Sequence, residues 1–202
     1  MPHRQLFWLH VKKSAGISTR ALLQPHYREV DRANKPATFI QSDRVEYNDI
    51  LNNFRVVLGE YQFRRCLFAK RFLYREQWES LYSFVFAREP VDRCISMFFY
   101  LYWPDRGFAG NLARIVGRSL ATGTFMYNTR YAFDRLLDHA AQARGSDSIY
   151  RPLGLHFTTH TAPMWDDVPD LDGKVLLTAV FRLENLVDGI NSVFEACGID
   201  TR

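Results

Sequence analysis

Residues 5–19 read Gln5-Leu6-Phe7-Trp8-Leu9-His10-Val11-Lys12-Lys13-Ser14-Ala15-Gly16-Ile17-Ser18-Thr19. The apolar run from Leu6 to Leu9 has the length and aromatic content of a buried strand. Two lysines and the small residues Ser14, Ala15 and Gly16 follow, and residues 17–23 read as a helix. A strand that breaks into a short glycine-containing loop and then a helix makes an anion site. The first N–H groups of the helix lack an intrahelical acceptor, and the helix dipole is positive there. Gly16 allows close backbone approach to a phosphate. Lys12 and Lys13 supply charge, and Ser14, Ser18 and Thr19 supply hydroxyls. A surface loop with two solvated lysines would share this composition.

The pattern recurs downstream. Residues 81–87, LYSFVFA, form a near-continuous apolar strand that stops at Arg88-Glu89-Pro90. Pro90 suits the first turn of a helix over 91–103, where its missing N–H costs nothing. Further strands are expected over 37–41, 54–59 and 174–183, and helices over 44–53, 107–120, 127–144 and 186–197, the last stopped by Gly198. Residues 62–70 are mixed. Residues 150–173, rich in Pro and Gly without a clear period, read as a long surface loop. Apolar strands alternating with helices specify an α/β fold, a parallel sheet flanked by helices on both faces. The length of 202 residues fits one domain, residues 1–202.

In a parallel sheet, the junctions at Lys13 and Arg88 both lie at the carboxyl ends of strands, where ligands bind. One ligand with two anionic groups could span them. The charge inventory agrees: the net charge is +4, and only 5 of the 26 basic residues are lysine. Arginine favours planar, bidentate anion partners. No Lys/Arg run is long enough for a stripe that tracks a nucleic-acid backbone, so no nucleic-acid partner is expected. Cys66, Cys94 and Cys197 show neither metal-ligand spacing nor a disulfide framework, and no metal is expected. No apolar run approaches a bilayer span, and no signal peptide precedes the first strand. A cytoplasmic location is expected, with a lumenal domain lacking its anchor as the alternative. Oligomeric state leaves no mark in the sequence.

The loop differs from the G-x-x-x-x-G-K-[ST] loop of the nucleoside-triphosphate-binding proteins, which places glycines six residues before and immediately before the lysine. Here those positions are Phe7 and Lys12, and Gly16 follows Lys13 instead. The stretch His10-Val11-Lys12-Lys13-Ser14-Ala15-Gly16-Ile17-Ser18-Thr19 resembles the 5′-phosphosulfate loop, H-x-P-K-T-A-G-T-[ST], of the sulfotransferases that use 3′-phosphoadenosine 5′-phosphosulfate (PAPS). Residues 84–96, FVFAREPVDRCIS, are similar to that family's 3′-phosphate motif, F-x-F-x-R-[DN]-P-x-x-R-x-x-S. Phe181-Arg182-Leu183-Glu184-Asn185-Leu186 is similar to the R-[FL]-E-[ND]-L segment of its carbohydrate branch. The three matches occur in family order and span residues 5–199. Lys12 stands where the family usually has Pro, Ile17 where it often has Thr, and Glu89 where it has Asp or Asn.

The resemblance implies a P-loop-like sheet and transfer of a sulfuryl group from PAPS to a hydroxyl of a saccharide or glycolipid, releasing PAP without a metal. It implies that Lys13 stabilises the leaving oxygen. The loop Lys12-Lys13-Ser14-Ala15-Gly16-Ile17-Ser18-Thr19 would hold the 5′-phosphate, and Arg88 and Ser96 the 3′-phosphate. Arg93 would pair structurally with a carboxylate, and Glu184 and Asn185 would brace the last junction. The acceptor hydroxyl needs a base. The family often has His in a G-H-x-x-[FY] setting where this chain has Gly59-Glu60-Tyr61-Gln62-Phe63. Glu60 is therefore one candidate, and His160, in an H-x-x-P setting with Met164 in place of Gln, is the other. His10 and His156 read as structural. A P-loop-like nucleotide kinase and a non-catalytic glycan- or nucleotide-binding relative are the alternative readings.

Overall fold

A computed structural model describes residues 6–23, 40–41, 45–47, 58–144 and 154–200. Strands β1 (Leu6–Leu9), β2 (Ile40–Gln41), β3 (Val45–Tyr47), β4 (Tyr82–Ala87) and β5 (Ala179–Arg182) form one sheet in the order β2-β3-β1-β4-β5. β3, β1, β4 and β5 run parallel, and β2 pairs antiparallel with β3 at the edge. The described chain divides into two compact units, one of residues 1–89 and 163–202 and one of residues 90–162.

In the first unit, the pleat of β1 and β4 builds two cores. Successive side chains point to opposite faces. Leu6 and Trp8 join Phe84 and Phe86 on one face, while Phe7, Leu9 and Val85 lie on the other. The first face is covered by α1 (Gly16–Leu23), through Leu23, and by the C-terminal helix (Leu186–Cys197), through Ile190, Val193, Phe194 and Cys197. The second is covered by α2 (Arg65–Phe68), a π-helical turn (Ala69–Tyr74) and a 3-10 helix (Arg75–Ser80), through Cys66, Ala69, Tyr74 and Trp78. Both β1 and β4 are therefore buried on two sides, which is why they read as continuous apolar runs rather than alternating ones.

The second unit consists of α3 (Pro90–Leu101), α4 (Gly107–Thr122), α5 (Thr129–Arg144) and α6 (Gly154–Thr161). Phe98, Tyr127, Ala132, Leu136 and Phe157 form its core. Arg93 is buried, and its guanidinium donates to the carbonyls of Ala162 at 3.0 Å and His160 at 2.9 Å, closing the C-terminal end of α6. The expected partner is a carboxylate; these two contacts are to backbone carbonyls. The C-terminal helix, α7, ends as expected at Gly198 with positive φ, whose N–H donates to Glu195.

Three expectations change. Residues 45–47 are a strand, not the start of a helix; Val-Glu-Tyr alternates and extends the sheet beyond β1, and the pairing outweighs the helical spacing of Val45, Ile50 and Leu51. The remainder of that helix, residues 48–53, and most of the strand expected over 54–59 lie outside the described residues. The long loop expected over 150–173 contains α6 and a 3-10 turn (Trp165–Asp167). α6 is only 8 residues long and carries Thr158, Thr159 and Thr161, so propensity is weak and packing decides it. The strand expected over 174–183 contracts to Ala179–Arg182, where it meets β4. Among the described residues no helix is long and apolar enough to cross a membrane.

Candidate functional site

The sheet order brings the two basic junctions together. β1 and β4 are adjacent and parallel, in register from Leu6 with Tyr82 to Leu9 with Val85. The loops that leave them emerge at the same sheet edge. From β1 the chain passes through α1 on one face and reaches β3 on one side; it then passes through residues 65–80 on the other face and reaches β4 on the opposite side. The carboxyl ends of β1 and β4 thus flank a point where the winding reverses, the place where open α/β sheets leave a crevice.

Lys13 and Arg88 meet there. Arg88 Nη1 donates to the Lys13 carbonyl at 3.3 Å. Partial burial of the Lys13 ammonium, and the nearby Arg88 guanidinium, hold its pKa below the usual lysine range. The backbone is unusual as well. Lys13 has φ 65° and Ala15 φ 53°, both left-handed, while Ser14 between them has negative φ. Non-glycine residues adopt this conformation rarely and at a cost. Alternation of hand is the backbone pattern of an anion nest; within it the Ser14 N–H donates to the Val11 carbonyl at 3.4 Å. α1 begins immediately afterwards. The Thr19 N–H donates to Ala15 at 2.9 Å, and the N–H groups of Gly16, Ile17 and Ser18 precede the first intrahelical donor.

The expected hydroxyls divide. Ser18 is exposed at the start of α1, beside the 90% exposed Ile17. Ser14 is buried and its hydroxyl donates to Met164 Sδ at 3.7 Å. Thr19 is fully buried on the face of α1 that carries Leu23, and its Oγ1 has no hydrogen-bond partner among the described residues. Lys12 is half-buried. Gly16 faces a specific obstacle: a Cβ there would lie 1.8 Å from His10 Nε2. The His10 ring stacks on Trp8, centroids 5.0 Å apart at 25°, and fills the space beside the first residue of α1.

Two residues absent from the sequence-based site hold the loop from below. Arg65 Nη1 donates to the His10 carbonyl at 3.0 Å. Its Nη2 donates to Asp167 Oδ2 at 2.7 Å, and its backbone N–H donates to Asp167 Oδ1 at 3.2 Å. Both side chains are 5% exposed. Asp167 closes the 3-10 turn that starts at Trp165, next to Met164, so one short turn contacts the loop by an ion-pair relay and by a thioether. No local signal marks the pair, because 102 positions separate its members. The neighbouring Cys66 thiol is pushed far above its usual range by burial and by Asp167; it is a packing residue, as are Cys197 and the half-buried Cys94.

The candidate bases sit in different surroundings. Glu60 is exposed, in a 3-10 turn (Gly59–Tyr61) that the Leu58 N–H fastens by donating to Gln62 Oε1 at 2.8 Å. His160 belongs to the second unit, 5% exposed, its ring stacked on Tyr100 at 5.1 Å and 21°. Ser96 also belongs to the second unit and is half-buried on α3. Glu184 lies in the 3-10 turn (Leu183–Asn185) between β5 and α7, and Asn185 is the residue preceding α7. Among the described residues no group of three His, Cys, Asp or Glu side chains is arranged to hold a metal ion. No protein-family model, no curated protein and no solved structure matches this chain.

Proposed function

We propose that the chain is a PAPS-dependent sulfotransferase of P-loop-like architecture, acting on a hydroxyl of a saccharide or glycolipid. The observation that carries this reading is the meeting of Lys13 and Arg88 beside the left-handed loop and the start of α1. Two cations beside the N–H groups that open α1 suit a ligand with two anionic groups.

The residues present fit such a ligand, with one adjustment. Gly16, Ile17 and Ser18 N–H groups, the Ser18 hydroxyl and Lys13 take the 5′-phosphosulfate; the buried Ser14 hydroxyl contacts Met164 instead, and Thr19 is buried on the core face of α1. Arg88 takes the 3′-phosphate. PAPS supplies the sulfuryl group. The acceptor oxygen forms a bond to sulfur as the bond from sulfur to the phosphate oxygen breaks, and that electron pair leaves on PAP. Lys13 offsets the charge that develops on the leaving oxygen. The acceptor proton passes to Glu60 or His160. As in phosphoryl transfer, positioning and charge dominate.

Calorimetric titration with PAP and with its 3′-dephospho analogue tests the reading. PAP binds more tightly, by roughly tenfold or more for loss of a charged hydrogen-bonded group, and Arg88→Gln removes the difference. Equal affinity for the two nucleotides overturns the assignment of Arg88. Lys13→Ala lowers sulfate transfer by about 10²-fold or more, while thermal unfolding moves little. Glu60→Gln and His160→Ala, assayed side by side, identify the base; if neither slows transfer, both assignments fail. Magnesium-dependent ATP turnover, with no PAP affinity, would instead support a nucleotide kinase.

A further inference from the structure

The second unit holds a cavity that the proposed nucleotide chemistry does not use. Its volume is about 760 Å³, within the range of sites that enclose small organic ligands. Arg106, Arg114, Arg118 and Arg135 line it together with Tyr102 and Tyr127. The first three arginines come from one end and one face of α4, at spacings of eight and four residues, and Arg135 comes from α5 across the space. All eight cations carried by Lys or Arg between residues 90 and 162 are arginine. Arginine presents a planar fork suited to carboxylate, sulfate and phosphate.

These arginines are not explained by internal ion pairing. Among the described residues no salt bridge involves any of the four. Asp105, beside Arg106, accepts from the Gly107 N–H at 3.0 Å and from Asn111 at 3.3 Å; Arg114 is the least of the influences that lower its pKa. Arg114 is held in place from behind. Its Nη2 donates to the Pro104 carbonyl and to Asn111 Oδ1, each at 2.6 Å, and its guanidinium carbon lies 4.7 Å from the Trp103 ring centroid. Its Nε and Nη1 are buried without a hydrogen-bond partner among the described residues. Arg135 Nη2 donates to His139 Nε2 at 3.2 Å, and His139 Nδ1 bonds the Tyr102 hydroxyl. Burial and Arg135, opposed by Asp138, hold the imidazole below its usual pKa. Gly117 lines the floor, and a Cβ added there meets nothing within 4 Å.

We infer that this cavity binds a small organic polyanion, carrying two or more carboxylate, sulfate or phosphate groups and about the size of a disaccharide. Four cations held around one space repel one another, and a multiply charged oxyanion ligand relieves that repulsion. The inference rests on the second unit alone and does not depend on the sulfotransferase reading.

The full chain is titrated calorimetrically with a disulfated disaccharide, an adenosine bisphosphate and the unsulfated disaccharide. Either anion binds and the neutral sugar does not, and affinity falls steeply as salt is raised. Gly117→Leu starts from a Cβ that meets nothing within 4 Å, places its side chain in the cavity and abolishes the binding. Arg118→Gln and Arg135→Gln each weaken it roughly tenfold. Circular dichroism confirms that the variants fold. Lys13→Ala separates the two sites: polyanion binding that survives it and is lost in Gly117→Leu belongs to the cavity. If the three cavity variants bind both anions as the unmodified chain does, or if the neutral sugar binds equally well, the inference is overturned.

Discussion

Gly16 has two incompatible explanations, and a double-mutant cycle separates them. One holds that glycine lets a phosphate approach the backbone. The other follows from the packing: an added Cβ would sit 1.8 Å from His10 Nε2 and 2.6 Å from its Cδ2 and Cε1, where ordinary contact begins at 3.4 Å. The ring must therefore retreat by about 1.6 Å (3.4 − 1.8), which breaks its stacking on Trp8. Loss of a stacked ring contact costs about 0.5–1.5 kcal/mol, and forced repacking raises the total to about 1–3 kcal/mol. In a His10→Ala background the obstacle is gone, and Gly16→Ala becomes neutral or slightly stabilising because alanine favours the helix. Urea unfolding of the four proteins, fitted with a common slope, gives a coupling of about 1–3 kcal/mol. Nucleotide affinity supplies an independent reading. If His10 is the reason for Gly16, the double variant recovers PAP binding that Gly16→Ala loses. A coupling within about 0.5 kcal/mol of zero, or PAP binding lost equally in both backgrounds, refutes the packing argument.

Asp167→Ala leaves the Arg65 guanidinium buried without its carboxylate and costs about 3–5 kcal/mol, measured by chemical denaturation, whereas replacement of both partners by leucine costs much less. A single variant as stable as the parent would show that the pair does not hold the loop. Lys13 has a folded-state pKa below its unfolded value, so its charged form is disfavoured by folding; stability contributed by this group rises as pH climbs from the lowered value toward 10.5 and is flat below that window. A bound dianion restores the ammonium, so PAP binding in the same alkaline window takes up protons. Calorimetry in two buffers of different ionisation enthalpy measures this, and no uptake would detach Lys13 from the ligand. Gly189→Ala brings a Cβ within 2.8 Å of Phe86 Cε1 and 3.0 Å of Phe181 Cγ, and lowers stability by about 1–3 kcal/mol in thermal unfolding; an unchanged midpoint would mean that α7 can lift from the sheet at little cost.

The sequence by itself determined the elements whose pattern is local. Leu6–Leu9 and Tyr82–Ala87 are apolar enough to be read as doubly buried strands, and Leu186–Cys197 repeats its apolar residues at helical spacing before a glycine stop. The junction residues Lys13 and Arg88 were legible for the same reason, since each ends a strand that can be read without its neighbours. What sequence could not supply was pairing across the chain. The strand at Val45–Tyr47 exists because β1 offers it an edge, and α6 exists because Phe157 has a core to enter. The sheet order alone sets Arg88 beside Lys13, 75 positions away, and only the folded chain couples Arg65 to Asp167 or His10 to Gly16. Hydrophobic periodicity records which side of an element faces the core. It carries no record of which element is met there, and that choice is made by packing and hydrogen bonding between segments distant in sequence.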